Sequence, residues 1–228
     1  MARIERLPPP EPNPARSPPV AVRGEIETRI GTLDARVHVP AAPVRVVVIC
    51  HPHPLYGGSM HSPVPLAIAK TLADRAADRV AWARFDFRGV GASEGVHDDG
   101  RGEVDDARAV VAHLRAAAPG VPVTLCGHSF GSWVALRAAG LEAGIDRVLL
   151  VAPSTRFFQF REDAFAFAGS KFIFLGDRDE FCDLDEGREL AKRLGADLRI
   201  FEGFDHHFTK SRRAMAEAAV PVVAPEVE

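Results

Sequence analysis

The sequence predicts a single α/β domain: a mostly parallel, twisted sheet with helices on both faces and no full cap domain. Three observations predict it. Strand-like and helix-like segments alternate from Gly24 almost to the end of the chain, the pattern of a parallel sheet built from crossover units. Val44–Cys50 is a continuous, largely β-branched run, as a strand covered on both faces requires. With 228 residues, 46% of them hydrophobic, the chain has the apolar material for one core of this kind.

The elements follow in chain order. Residues 1 to about 22, including "LPPPEPNPARSPPVAV", are proline-rich and lack apolar periodicity. They cannot bury a core and read as a flexible tail with polyproline character, so the domain is placed at 23–228. "GEIETRI" and "ARVHV" read as a hairpin of outer strands, followed by the Val44–Cys50 strand. Pro63–Arg75 reads as a helix and Arg79–Phe87 as a strand. Glu103–Ala117 is helical, with Val104, Ala107, Val111 and Leu114 on one face. Val123–Cys126 is a strand and Phe130–Leu141 a helix. Arg147–Ala152 and Lys171–Leu175 are strands, Leu184–Leu194 is a helix, and Leu198–Phe201 is the last strand. A final helix is expected to start near Thr209 and to end at Pro221.

Between Val123–Cys126 and Phe130–Leu141 stands Gly127-His128-Ser129-Phe130-Gly131. The chain passes from strand to helix with almost no connector, and Ser129 occupies the corner. Such a turn strains its apex and needs neighbours without side chains, which Gly127 and Gly131 supply. Gly-x-Ser-x-Gly in this setting lifts a serine hydroxyl above the strand ends and turns the following N–H groups toward an oxyanion.

Sheets of this class hold their ligands at the carboxyl ends of the strands. After Val44–Cys50 comes "HPHPLYGGSMHS", where an acyl-transfer site would find its second oxyanion donor. Pro54 has no N–H, so His53 is the first candidate and Leu55 the second, with Phe130 as the other donor. A metal site using His51, His53 and His61 competes, but no acidic third ligand follows at a suitable spacing. After Arg79–Phe87 comes "DFRGVGASEG", a poor match to a nucleotide loop; Asp86 and Arg88 are expected to tie loops together. "GDRDEFCD" offers Asp177 and Asp179 to orient a histidine, with Glu180 and Asp183 further off. "FEGFDHHF" offers His206 and His207. A serine, then an acid, then a histidine, each following its own strand, is the chain order of a serine nucleophile with its base and orienting acid.

The formal net charge of −3 and the lack of a polybasic block argue against a nucleic-acid or anionic-membrane partner. The apolar runs are strand-sized, too short to span a bilayer, and the first residues lack the apolar core of a signal peptide. Of three cysteines, Cys50 and Cys126 end strand-like runs and read as buried thiols, while Cys182 lies in a polar segment. With no zinc-type spacing, a reduced, cytoplasmic setting fits.

The motifs "CHPHPLYGGSMHSPV", "FDFRGVGASEG", "GHSFGS", "GDRDEFC" and "GFDHHF" resemble those of the small capless α/β-hydrolases, near the dienelactone-hydrolase-like branch and the bacterial predicted α/β-superfamily hydrolases. They run in order over nearly everything from Gly24 onward. The resemblance implies a nucleophile at Ser129, a base at His206 within Gly203–Phe208, and an acid at Asp179 within Gly176–Asp179. It also implies an oxyanion hole from His53 and Phe130, no cofactor, and a small-molecule ester as substrate, with a thioester or lactone as variants. Only Ser154–Ser170 lies between two strands where a cap would be inserted. That connector carries Phe157, Phe158, Phe160, Phe165 and Phe167, which either line an acyl pocket or pack the connector onto the core. Phe157, Phe158, Tyr56 and Trp133 are the candidate substrate contacts. The alternative is a catalytically silent hydrolase fold acting as a scaffold. A homo-oligomer is compatible with either.

Overall fold

The computed structural model describes residues 22–160 and 167–227. The proline-rich segment lies outside the described residues except for Val22, which opens the first strand, and Phe165 lies outside them too. Eight strands form one sheet in the order β1-β2-β4-β3-β5-β6-β7-β8. β1 (Val22–Thr28) and β2 (Gly31–His38) are the expected outer hairpin, and β2 also runs antiparallel to β4 (Val80–Phe85). The rest of the sheet is parallel: β4, β3 (Arg45–Cys50), β5 (Val123–His128), β6 (Ile145–Val151), β7 (Ser170–Gly176) and β8 (Asp197–Phe201).

The apolar strands explain the two helical layers. Side chains alternate across a strand, so Val46, Val48 and Cys50 enter one core cluster while Val47 and Ile49 enter the other. The first cluster lies under α2 (Arg101–Ala117), α3 (Phe130–Leu141) and α4 (Leu184–Leu194). The second lies under α1 (Pro63–Ala76) and α5 (Arg212–Val223).

Several boundaries shift from the sequence reading, and three of the shifts have an identifiable cause. β4 stops at Phe85 because the N–H of Phe87 leaves the ladder and donates to His51 Nε2 at 3.0 Å. α5 starts at Arg212 rather than near Thr209: Ser211 caps it by accepting the Ala214 N–H, while Thr209 is held by the Asp205 carboxylate. Pro221 lies inside α5 and does not end it. A proline loses one helical N–H, but only two residues follow it in the helix, and the buried Val220 and Val223 hold that turn on the core.

Asp86 and Arg88 tie loops as expected. The Asp86 carboxylate accepts the Met60 N–H at 2.7 Å, and Arg88 donates through Nε and Nη2 to Asp106 at the start of α2. All three cysteines are free and buried, including Cys182 in its polar stretch. Among the described residues, no helix is long and apolar enough to cross a membrane.

Candidate active site

The corner between β5 and α3 is as tight as the two glycines suggest. Ser129 has φ 57° and ψ −119°, a strained backbone for a residue with a side chain. A Cβ on Gly127 would lie 2.0 Å from the Gly131 carbonyl oxygen, and one on Gly131 would lie 2.5 Å from the Cys50 carbonyl oxygen. Only bare backbone fits at both places. Ser132 Oγ locks the turn, its single proton shared between the Gly127 and Val151 carbonyls at 2.8 and 3.0 Å.

The ends of β7 and β8 meet beside it. His206 Nδ1–H faces both oxygens of Asp179, at 3.0 and 2.9 Å, and both side chains are withdrawn from solvent. Asp179 also accepts the N–H groups of Phe181 at 2.8 Å and Cys182 at 3.2 Å. The other acids of this loop have different work. Asp177 accepts the Gly203 N–H, and Asp183 caps α4 by accepting the Asp185 and Glu186 N–H groups. Glu180 is exposed. His207 is exposed where its neighbour His206 is buried.

His128, the variable residue of the corner motif, is also structural. Its Nε2–H donates to the His206 carbonyl at 3.0 Å, which pins the histidine-bearing loop to the end of β5. Burial lowers its pKa to about 3, so the ring stays neutral and its buried Nδ1 has no hydrogen-bond partner.

Ser129, His206, His207 and His128 line one cavity of about 620 Å³. Ser129 Oγ makes its hydrogen bond to Ser154 Oγ, at 2.9 Å, rather than to His206. Sequence reasoning missed Ser154. It sits just after β6, at a strand end like the other groups of the site, and that position was the available signal.

The HPHP loop forms the opposite wall. His51 is buried and uses both ring nitrogens on backbone: Nδ1–H donates to the Pro52 carbonyl at 2.6 Å, and Nε2 accepts from Phe87. Burial lowers its pKa to about 3. His53 Nδ1 accepts the Leu55 N–H at 3.2 Å, so that second candidate oxyanion donor is spent. The N–H groups of His53 and Phe130 have no acceptor among the described residues. Among those residues, no group of three or more His, Cys, Asp or Glu side chains could hold a metal ion.

Of the candidate substrate contacts, Tyr56, Phe157 and Phe158 line the cavity and Trp133 does not. Trp133 stacks behind Phe130 and donates its Nε1–H to the Gln159 carbonyl at 3.1 Å. The connector phenylalanines divide between the two roles open to them. Phe157 and Phe158 face the cavity, while Phe160 and Phe167 are buried in the core. Phe181 was not anticipated: it lines the cavity with its ring edge-on to His206 at 4.6 Å.

Known proteins share this architecture. A lidless α/β serine hydrolase from Xanthomonas campestris, XC6422, superposes with a TM-score of 0.81 at 29% identity, covering 92% of this chain and 97% of that one. An α/β serine hydrolase homologue from Coxiella burnetii gives 0.78 at 28% identity, with 89% and 97% coverage. The uncharacterized protein RP471 of Rickettsia prowazekii is 32% identical over 204 residues, 84% of this chain and 83% of its own. Residues 41–160 match Hydrolase_4, the family described as serine aminopeptidase, S33. With its strained serine corner, its strand-end site and these relatives, the chain belongs to that family of α/β serine hydrolases.

Proposed function

We propose that the protein cleaves carboxylic esters through an acyl-enzyme, with Ser129 as nucleophile, His206 as base and Asp179 as the acid that orients it. The observation that carries this reading is the Asp179–His206 pair beside a strained, cavity-lining serine. Asp179 accepts from Nδ1–H, which leaves Nε2 of His206 as the nitrogen free to take a proton. His206 then removes the Ser129 proton as Oγ attacks the acyl carbon, and Asp179 stabilises the imidazolium. The unpartnered N–H groups of His53 and Phe130 receive the carbonyl oxygen as it gains charge. The imidazolium returns its proton to the departing alcohol. Water, activated by the same ring, releases the acid and restores Ser129.

The test is intact mass after a fluorophosphonate probe, alongside turnover of 4-nitrophenyl esters. One adduct is expected on the wild type and none on Ser129→Ala, with turnover reduced on the order of a thousandfold or more. Absence of an adduct on folded wild-type protein would remove the reading and favour a silent scaffold.

A further inference from the structure

We infer that the cavity is built for an uncharged, apolar acyl group and selects against substrates carrying either a carboxylate or an ammonium on the acyl part. This rests on the ester-hydrolase reading of Ser129 and names the substrate class it serves.

The lining carries the argument. None of the described residues around the cavity is Lys, Arg, Asp or Glu. The titratable groups there are Tyr56 and four histidines, His53, His128, His206 and His207. Three of those rings are held toward their neutral form. Partial burial lowers the pKa of His53, helped by His97; burial takes His128 to about 3; the partial desolvation of the otherwise exposed His207, with the neighbouring His206, lowers that of His207. The remaining wall is rings: Phe158 lies against His53 at 5.8 Å and Phe130 at 5.3 Å, and Phe157 lies against Phe181 at 5.5 Å.

Of the charges nearest in sequence to the walls, the exposed Glu180 and the Thr209-bound Asp205 act on His207 from outside the lining, and the arginines are bonded to backbone. Arg212 donates Nε–H to the His207 carbonyl at 3.0 Å. Arg156 donates to the Glu180 carbonyl at 2.8 Å and pairs with Asp183 at 3.6 Å. Asp179 lies behind His206, with its carboxylate fully buried and bonded.

A carboxylate or ammonium entering this space would lose water without gaining a counter-ion from the described lining, which is unfavourable for either sign. An aminopeptidase needs a group that receives the substrate's free α-ammonium, and among the described lining residues none is a carboxylate. A volume of about 620 Å³ falls within the usual range of small-molecule sites and leaves room for acyl groups well beyond acetyl.

The experiment uses three ethyl 4-nitrophenyl alkylphosphonates, uncharged at phosphorus, that differ only at the tail: hexyl, ω-carboxypentyl and ω-aminopentyl; serine Oγ bonds to phosphorus as 4-nitrophenolate leaves. They inactivate an activated serine irrespective of the natural substrate, and intact mass gives the second-order rate. The neutral tail is expected to label roughly tenfold to a hundredfold faster than both charged tails. Phe157 is exposed at the mouth, so Phe157→Arg keeps the core intact. That variant is expected to raise the rate of the carboxylate tail about tenfold while leaving the ammonium tail slow. Equal rates for all three tails, or preference for either charged one, would overturn the inference while leaving Ser129 live. Absence of labelling by all three would overturn the serine reading on which it rests.

Discussion

Ser154 ties Ser129, the proposed nucleophile, to the pocket wall. Its hydroxyl meets Ser129 Oγ, and its carbonyl accepts the N–H groups of Phe157 and Phe158 at 3.2 and 3.0 Å. The contact restrains the Ser129 rotamer, and in the arrangement where Ser154 donates, the serine proton is left for His206. Removing it lets the nucleophile wander from the attack geometry, and small misplacements are costly in rate. Ser154→Ala is expected to lower kcat about tenfold with KM nearly unchanged, and Ser154→Thr to restore most of it. Steady-state kinetics on a neutral ester decides it; an unchanged kcat in the alanine variant would leave Ser154 as packing alone.

At the scale of elements, the site depends on how closely the ends of β7 and β8 approach. A Cβ on Gly176 would lie 2.2 Å from the Phe204 carbonyl oxygen, so the loop bearing His206 can lie against β7 only because position 176 has no side chain. Gly176→Ala is expected to cost about 2 kcal/mol or more in stability. It should also slow turnover at least tenfold by parting Asp179 from His206. Urea unfolding and turnover measured together check both effects, and normal values for both would contradict the contact. Helical periodicity and turn chemistry made α3 and α4 legible to their terminal residues. Strand ends were less so, because a residue such as Phe87 leaves the ladder for a side-chain acceptor that becomes a neighbour only in three dimensions. Pro221 misled for a related reason: its local signal says stop, while the buried valines on either side keep the helix in place. The chain order of serine, acid and histidine was visible in sequence. That Asp177 serves Gly203 and Asp179 serves His206 depends on loop shape, and Ser154 carried no motif of its own.

For the molecule as a whole, two neutral histidines are locked into the fold. His51 and His128 have their pKa values lowered to about 3 by burial, against about 6.5 in an unfolded chain. Between those values the unfolded state binds protons that the native state refuses, so stability falls as pH drops. The slope should approach about 2.7 kcal/mol per pH unit from this pair when both are protonated on unfolding. Urea midpoints are therefore expected to fall steadily from pH 6.5 to pH 4.5. His51→Gln, whatever it costs in absolute stability, should flatten that dependence. A midpoint independent of pH across that range in the wild type would refute the account.

The serine, the acid and the histidine leave the sheet from three different strands, β5, β7 and β8, while two of the three described wall phenylalanines, Phe157 and Phe158, belong to the stretch after β6. On the proposed reading, the chemistry and this part of the selectivity thus occupy separable lengths of chain. On that reading, the β6–β7 connection can be varied around Phe157 and Phe158 with the reacting groups still anchored on their own strands, provided Ser154 at its base and the core-packed Phe160 and Phe167 are kept. This makes the connector the natural grafting point of the fold, where a lid or a new pocket wall can be added while the hydrolytic machinery beneath is inherited intact.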